Sequence, residues 1–94
     1  MALFVLTCID HPNALDRRMA AREDHLAYVR SMSGVVKVGG PFLDEAGQMA
    51  GSLLIIEAQD MAEARAFAAA DPYARAGLFQ SVDIRAFRMA IDNR

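Results

Sequence analysis

Apolar positions run along this chain in two rhythms. From Ala2 to Ile9 the sequence ALFVLTCI is almost unbroken apolar, with β-branched and aromatic members, and DHPN stops it. A short apolar run closed by turn residues predicts a strand and then a turn. From about Ala14 to Met32 there is no Gly or Pro, Leu15, Met19, Leu26 and Val29 recur at helical spacing, and Gly34 follows. This predicts a long helix with a charged outer face. VVKVGGPFL predicts a second strand interrupted at Gly39-Gly40-Pro41, DEAGQ a turn, and MAGSLLIIEA a third strand. Asp60, with Glu63 as a capping-box partner, opens a second helix whose body MAEARAFAAA sets Ala64, Phe67 and Ala68 on one face. A short helical turn, PYARAG, follows Asp71, and LFQSVDIRAF closes the pattern as a fourth strand. The tail RMAIDNR carries only weak signals.

The order β-α-β-β-α-β predicts an α+β, ferredoxin-like fold: an antiparallel sheet with both helices on one face. In the first strand both alternate sets, Leu3-Val5-Thr7 and Phe4-Leu6-Cys8, are largely apolar, and Leu53-Ile55 and Leu54-Ile56 repeat this in the third. A sheet with one wet face should alternate apolar and polar. Helices cover one face only, so the other is expected to meet the same face of a second copy, giving a homodimer joined sheet to sheet. Size agrees: the 94 residues (1–94) suit one domain with a marginal core, which pairing would enlarge.

Composition narrows the partners. An apolar fraction of 54% with 23% charged residues is that of a soluble globular protein. Ten basic and twelve acidic side chains leave a net charge of −2, and no basic run is interleaved with aromatics, so no nucleic-acid partner is expected. Cys8 is the single cysteine, which excludes an internal disulfide and favours a reducing compartment. MALFVLTCID has no basic leader and is too short to span a bilayer. The expectation is a cytoplasmic protein with no membrane partner.

Candidate chemistry gathers on the first helix. Arg18, Arg22, His25 and Val29 share a stripe beside the apolar one, because residues three and four apart are neighbours on a helix. His25 thus falls at a boundary, where an imidazole suits either proton transfer or a hydrogen bond to a backbone carbonyl. Asp71 is equally two-sided. Asp is a favoured helix N-cap and Pro a favoured next residue, so DPYARAG needs no chemical role. A carboxylate has lone pairs enough for both. From residues alone, both readings stay open. His11 reads as a solvated turn residue, and two histidines without ligand spacing predict no metal site. Gly39-Gly40 lacks the G-x-G-x-x-G pattern, so no dinucleotide cofactor is expected; a bulge or a close approach to ligand is the better reading. Ser52 has no adjacent base, which weakens a serine nucleophile and leaves it a substrate-binding candidate. The six methionines sit mainly at apolar positions and read as packing.

Taken in order, ALFVLTCID, REDHLAYV around His25, GGPFLDEAGQMAGSLLIIEA, AEARAFAAADPYARAGLF and VDIRAF resemble the YciI-like family over about residues 2–88. The more specific marks are the helix histidine, GGP with G-S after it, and DPY-x-x-AGLF. The resemblance implies a ferredoxin-like subunit pairing through its sheet into a dimeric α+β barrel. It also implies an active site with a His and an Asp, which correspond to His25 and Asp71, and so favours a functional pair.

Some members of that family eliminate halide from chlorinated aromatic breakdown products. The implied function is a lyase or isomerase acting, without cofactor, on a small anionic, cyclic or carbonyl-bearing metabolite. Asp71 would hold one ring nitrogen of His25 while the other moves a proton. Arg22 would attract a substrate carboxylate, or else be an exposed arginine paired with a neighbouring acid. Tyr73 and Tyr28 would line the pocket and Gly40-Pro41 form part of its wall. One alternative is a non-catalytic metabolite-binding or regulatory dimer module. Another is a small barrel monooxygenase, cofactor-free or with His25 as a haem ligand; the absence of tryptophan ranks it lower.

Overall fold

A computed structural model describes residues 1–94. Its elements are β1 (Ala2–Asp10), α1 (Leu15–Ser31), β2 (Val36–Leu43), β3 (Met49–Ala58), α2 (Met61–Ala70), α3 (Pro72–Arg75) and β4 (Phe79–Phe87). The four strands form one antiparallel sheet in the order β2-β3-β1-β4, the ferredoxin-like arrangement.

Strand alternation sorts the sheet into two faces. Phe4, Leu6 and Cys8 of β1 join Leu54, Ile56 and Ala58 of β3 in the core, together with Ala64 and Phe67 of α2. Tyr28 of α1 and Met32 just after it pack onto the same cluster, so both long helices lie on this face. The opposite face carries Leu3, Val5, Leu53 and Ile55, which are only half-buried and have no helix over them.

Local chemistry explains the boundaries. The Asp60 side chain accepts a hydrogen bond from the Glu63 backbone N–H at 2.9 Å and so caps α2. Asp71 does the same for α3, accepting from the Tyr73 N–H at 2.9 Å, with Pro72 as first helical residue. Gly77, at φ 68°, stops α3. The Leu78 N–H reaches the Tyr73 carbonyl and the Gly77 N–H that of Ala74, both at 3.1 Å, a Schellman closure. A four-residue helix is thus fixed at both ends around Tyr73.

Two expectations need correction. Gly39-Gly40-Pro41 does not interrupt β2; the strand pairs straight through it, and the register shifts fall at Val36/Val38 and Phe42/Leu43. Proline is tolerated because β2 is an edge strand. On α1 the apolar stripe is not the buried one: Met19 is 52% exposed, whereas Arg18 and His25 are the buried residues. Acidic partners, Asp10 of β1 and Asp71 at the N-cap of α3, draw these two inward.

Candidate active site

Beyond Cys8 the core changes character. Continuing the β1 alternation by one step brings Asp10 onto the helix-covered face, 7% exposed. Arg18, 2% exposed, meets it with two hydrogen bonds, Nε to Oδ2 at 2.8 Å and Nη2 to Oδ1 at 3.1 Å. The same Nη2 donates to the Ser52 hydroxyl at 2.8 Å. Burial opposes the charge on Arg18, but the Asp10 carboxylate outweighs it and holds the guanidinium above its usual value.

Two turns along α1, His25 meets Asp71. Its Nδ1 lies 2.9 Å and 3.0 Å from the two carboxylate oxygens, and both residues are buried. An ionised carboxylate only accepts, so Nδ1 donates in this contact. Nε2 is then the remaining ring nitrogen. It has no partner in the chain, and no buried side-chain nitrogen or oxygen is left sealed and unpaired. Nε2 therefore opens onto free space.

Tyr73 joins the two pairs. Its ring stacks on the His25 imidazole, centroids 4.0 Å apart and planes 15° from parallel. The Arg18 Cζ sits 4.5 Å from the same ring centroid. Burial raises the Tyr73 hydroxyl above its usual pKa, although the Arg18 and Arg22 charges pull the other way. Cys8, nearby in the core, is no nucleophile: burial, then the Asp71 charge, push its thiol up to about 12.

A cavity of about 130 Å³ opens beside these groups. Arg18, Arg22, His25 and Tyr73 form its polar wall, with Leu26 and Val29 beside them on α1. Gly39, Gly40, Pro41 and Ser52 close it from the sheet. Glycine is needed at position 39 by close approach, since a Cβ there would collide with the Leu54 side chain, which also lines the cavity.

Of the residues singled out from sequence, His25, Arg22, Tyr73, Gly40, Pro41 and Ser52 are brought to this cavity, and Asp71 stands behind His25. Tyr28 is not. Its hydroxyl donates to the Phe67 carbonyl at 2.9 Å, its ring packs on Phe67, and it lines a separate hollow near Met32. The reason is angular: at about 100° per residue, Arg22 and Tyr28 each lie about 60° from His25, on opposite sides. Only the Arg22 side faces the cavity.

Sequence alone does not single out Asp10 and Arg18 as site residues. The signal available was alternation, which places Asp10 with Phe4, Leu6 and Cys8, together with the position of Arg18 on the His25 stripe. No three His, Cys, Asp or Glu side chains gather as a metal-ligand set. No helix is long and apolar enough to cross a membrane.

Fold and cavity together define a class: small ferredoxin-like α+β proteins with a polar-walled hollow between helices and sheet. Within it, the chain belongs to the YCII-related domain family, whose domain matches residues 2–88. An uncharacterized protein of Haemophilus influenzae is 33% identical over 94 residues, covering 90% of this chain and 95% of its own. The structure is also similar to 5-chloro-2-hydroxyhydroquinone dehydrochlorinase of Burkholderia phenoliruptrix AC1100, solved with 2,5-dihydroxybenzoquinone. That match has TM-score 0.85 and 33% identity over 92% of this chain and 93% of the other. An antibiotic biosynthesis monooxygenase superposes with TM-score 0.57 at 15% identity, over 98% of this chain and all of its own. At that identity the likeness is one of fold.

Proposed function

We propose that this protein is a small-molecule enzyme of the lyase or isomerase type, in which His25 transfers a proton to or from an anionic, ring-sized metabolite held in the cavity. The observation that carries the reading is the His25–Asp71 contact beside that cavity. With Nδ1 committed to Asp71, the tautomer is set and Nε2 faces the ligand as base or, once protonated, as acid. Size supports the ligand class: a cavity of roughly 150 Å³ holds one benzene, and this one is about 130 Å³. Similarity to a dehydrochlorinase at 33% identity supports elimination as the reaction type. In that chemistry a proton moves from a ring hydroxyl to the chlorine-bearing carbon, leaving a carbonyl. Loss of a second hydroxyl proton then makes another carbonyl from its O–H pair, as a ring π pair shifts toward that carbon and chloride leaves with the pair of its bond. Arg22, half-buried at the wall and without an acidic partner, draws the anion in.

The test is chloride release from 5-chloro-2-hydroxyhydroquinone, with small lactones as a second panel. His25→Gln is expected to lose ~10²–10⁴-fold in rate while staying folded. Asp71→Asn, which keeps the helix cap, is expected to lose rate as well. Full turnover by both folded variants ends the His–Asp reading. Binding without turnover by the wild type leaves the metabolite-binding module.

The proposal includes a homodimer joined through the open sheet face, supported by the apolar Leu3, Val5, Leu53 and Ile55 that no helix covers. A monomer by light scattering at micromolar concentration removes that part. The free thiol of Cys8 supports a reducing, cytoplasmic setting.

A further inference from the structure

We infer that Arg18 is the anion-receiving residue of the cavity and holds a negatively charged oxygen of the ligand on its free Nη1 edge. This rests on the reading that the cavity takes a small molecule, and it specifies which ligand group is recognised and by what.

The first observation is the unused donor. Arg18 is 2% exposed, and its Nε and Nη2 are taken by Asp10 and Ser52. Nη1 is outside the hydrogen bonds that Nε and Nη2 make. The Tyr73 hydroxyl is the one further polar group acting on the guanidinium, and no buried side-chain nitrogen is sealed and unpaired. The space that Arg18 lines is this cavity, so Nη1 opens there. A guanidinium carries five N–H donors in a fixed fork, and here the outer part of the fork is left for a guest.

The second is preorganisation. Two hydrogen bonds to Asp10, one to Ser52 and the Tyr73 ring 4.5 Å from Cζ fix the guanidinium before any ligand arrives. A fixed donor loses little conformational freedom on binding. His25 lies against the same Tyr73 ring, so one ring-sized ligand can reach both groups.

The third is the charge of the wall. Two guanidinium groups, Arg18 and Arg22, line the cavity and no carboxylate does; Asp10 and Asp71 are turned to Arg18 and His25. The ligand class is therefore an organic anion whose charge sits on an enolate, phenolate or carboxylate oxygen. Arg22, half-buried and without a partner, acts through a field that salt screens, whereas the buried Arg18 bond is screened much less.

The experiment is calorimetric titration with 2,5-dihydroxybenzoquinone at pH 7, where its hydroxyls are ionised. Proteins compared are the wild type, Arg18→Lys, Arg22→Gln and the double variant Asp10→Leu/Arg18→Met. Lysine keeps a cation beside Asp10. The double variant replaces the whole buried pair with apolar groups, a change that is often neutral for folding. Both Arg18 variants are expected to bind roughly 10- to 150-fold more weakly, the range of one hydrogen bond to a charged group. That loss persists in about 0.5 M salt, while the smaller Arg22→Gln loss fades. A folded double variant that binds as tightly as the wild type overturns the assignment of Arg18 alone. A wild type that fails to bind the probe overturns the cavity reading, and this inference with it.

Discussion

The layer between helices and sheet has two unlike ends. At one, Phe4, Ile56, Ala58, Ala64 and Phe67 close on each other with no polar side chain among them. At the other, about 20 Å along β1, Asp10, Ser52, Arg18, His25, Asp71 and Tyr73 are held by directed contacts around a cavity. The apolar end is secured by volume, and any shape that fills it will do. The polar end is secured by partners, and each group there depends on particular neighbours.

That contrast predicts unequal tolerance. The largest effect is expected at the polar end. Arg18→Ala leaves the Asp10 carboxylate buried without its cation, at a cost of about 3–5 kcal/mol in urea denaturation. Asp10→Leu/Arg18→Met, which removes both charges, is expected to recover most of that loss. If the single and double variants are equally destabilised, the pair is not what holds this end together.

At the apolar end, Ile56→Ala is expected to cost about 2–5 kcal/mol by opening a void, because Ile56 is fully buried. Ile56→Leu keeps the volume and should cost less than about 1.5 kcal/mol. Arg18 has no such mild substitute: Arg18→Lys keeps charge and length and still gives up the forked pairing. An Ile56→Leu loss as large as that of Ile56→Ala would mean that shape rather than volume governs the apolar end too.

Legibility from sequence follows the same division. The apolar end was readable, since Ala64 and Phe67 on α2 and the even-numbered residues of β1 and β3 follow simple periodicity. The β-α-β-β-α-β order was readable for the same reason. The polar end was readable only in pieces. His25 and Asp71 stood out through their neighbours in sequence, but Arg18 resembles any exposed helix arginine, and Asp10 resembles the start of a turn. What buries them is each other, across eight residues, and periodicity carries no trace of pairing. The helix face is misleading for the same reason. Leu15, Met19, Leu26 and Val29 centre about 80° from His25, while the buried line runs through Arg18 and His25 themselves.

Asp71 belongs to both kinds of account, and its two substitutions separate them. Asp71→Ala removes the bond to the Tyr73 N–H and should cost about 0.5–2 kcal/mol as a lost helix cap. Asp71→Asn caps equally well, so stability should be nearly retained while the Nδ1 acceptor of His25 changes character. Equal stability loss in the two variants would show that the contact to His25, not the cap, is what the fold needs from Asp71.

The smallest expected effect concerns the tyrosines, one at each end. Tyr73 lies against the cavity and Tyr28 on the Phe67 side, and they are the two tyrosines of the chain. Burial raises both hydroxyls above the ordinary value; Asp71 adds to the rise for Tyr28, whereas Arg18 and Arg22 partly offset it for Tyr73. The neutral phenol is the form each folded environment prefers. The native state therefore keeps its protons longer than the unfolded chain as pH rises past about 10. By linkage, the stability this contributes is complete below pH ~10 and is lost as pH climbs through the raised native values. Absorbance at ~295 nm should show no phenolate component titrating at the ordinary value near 10 while near-ultraviolet dichroism still reports native packing. Phenolate should form above that, alongside the loss of folded signal. An ordinary titration of one tyrosine in folded protein would locate the weak point: at Tyr73 it would mean the cavity wall is wetter than its stacking and burial imply, and at Tyr28 that the bond to Phe67 is open.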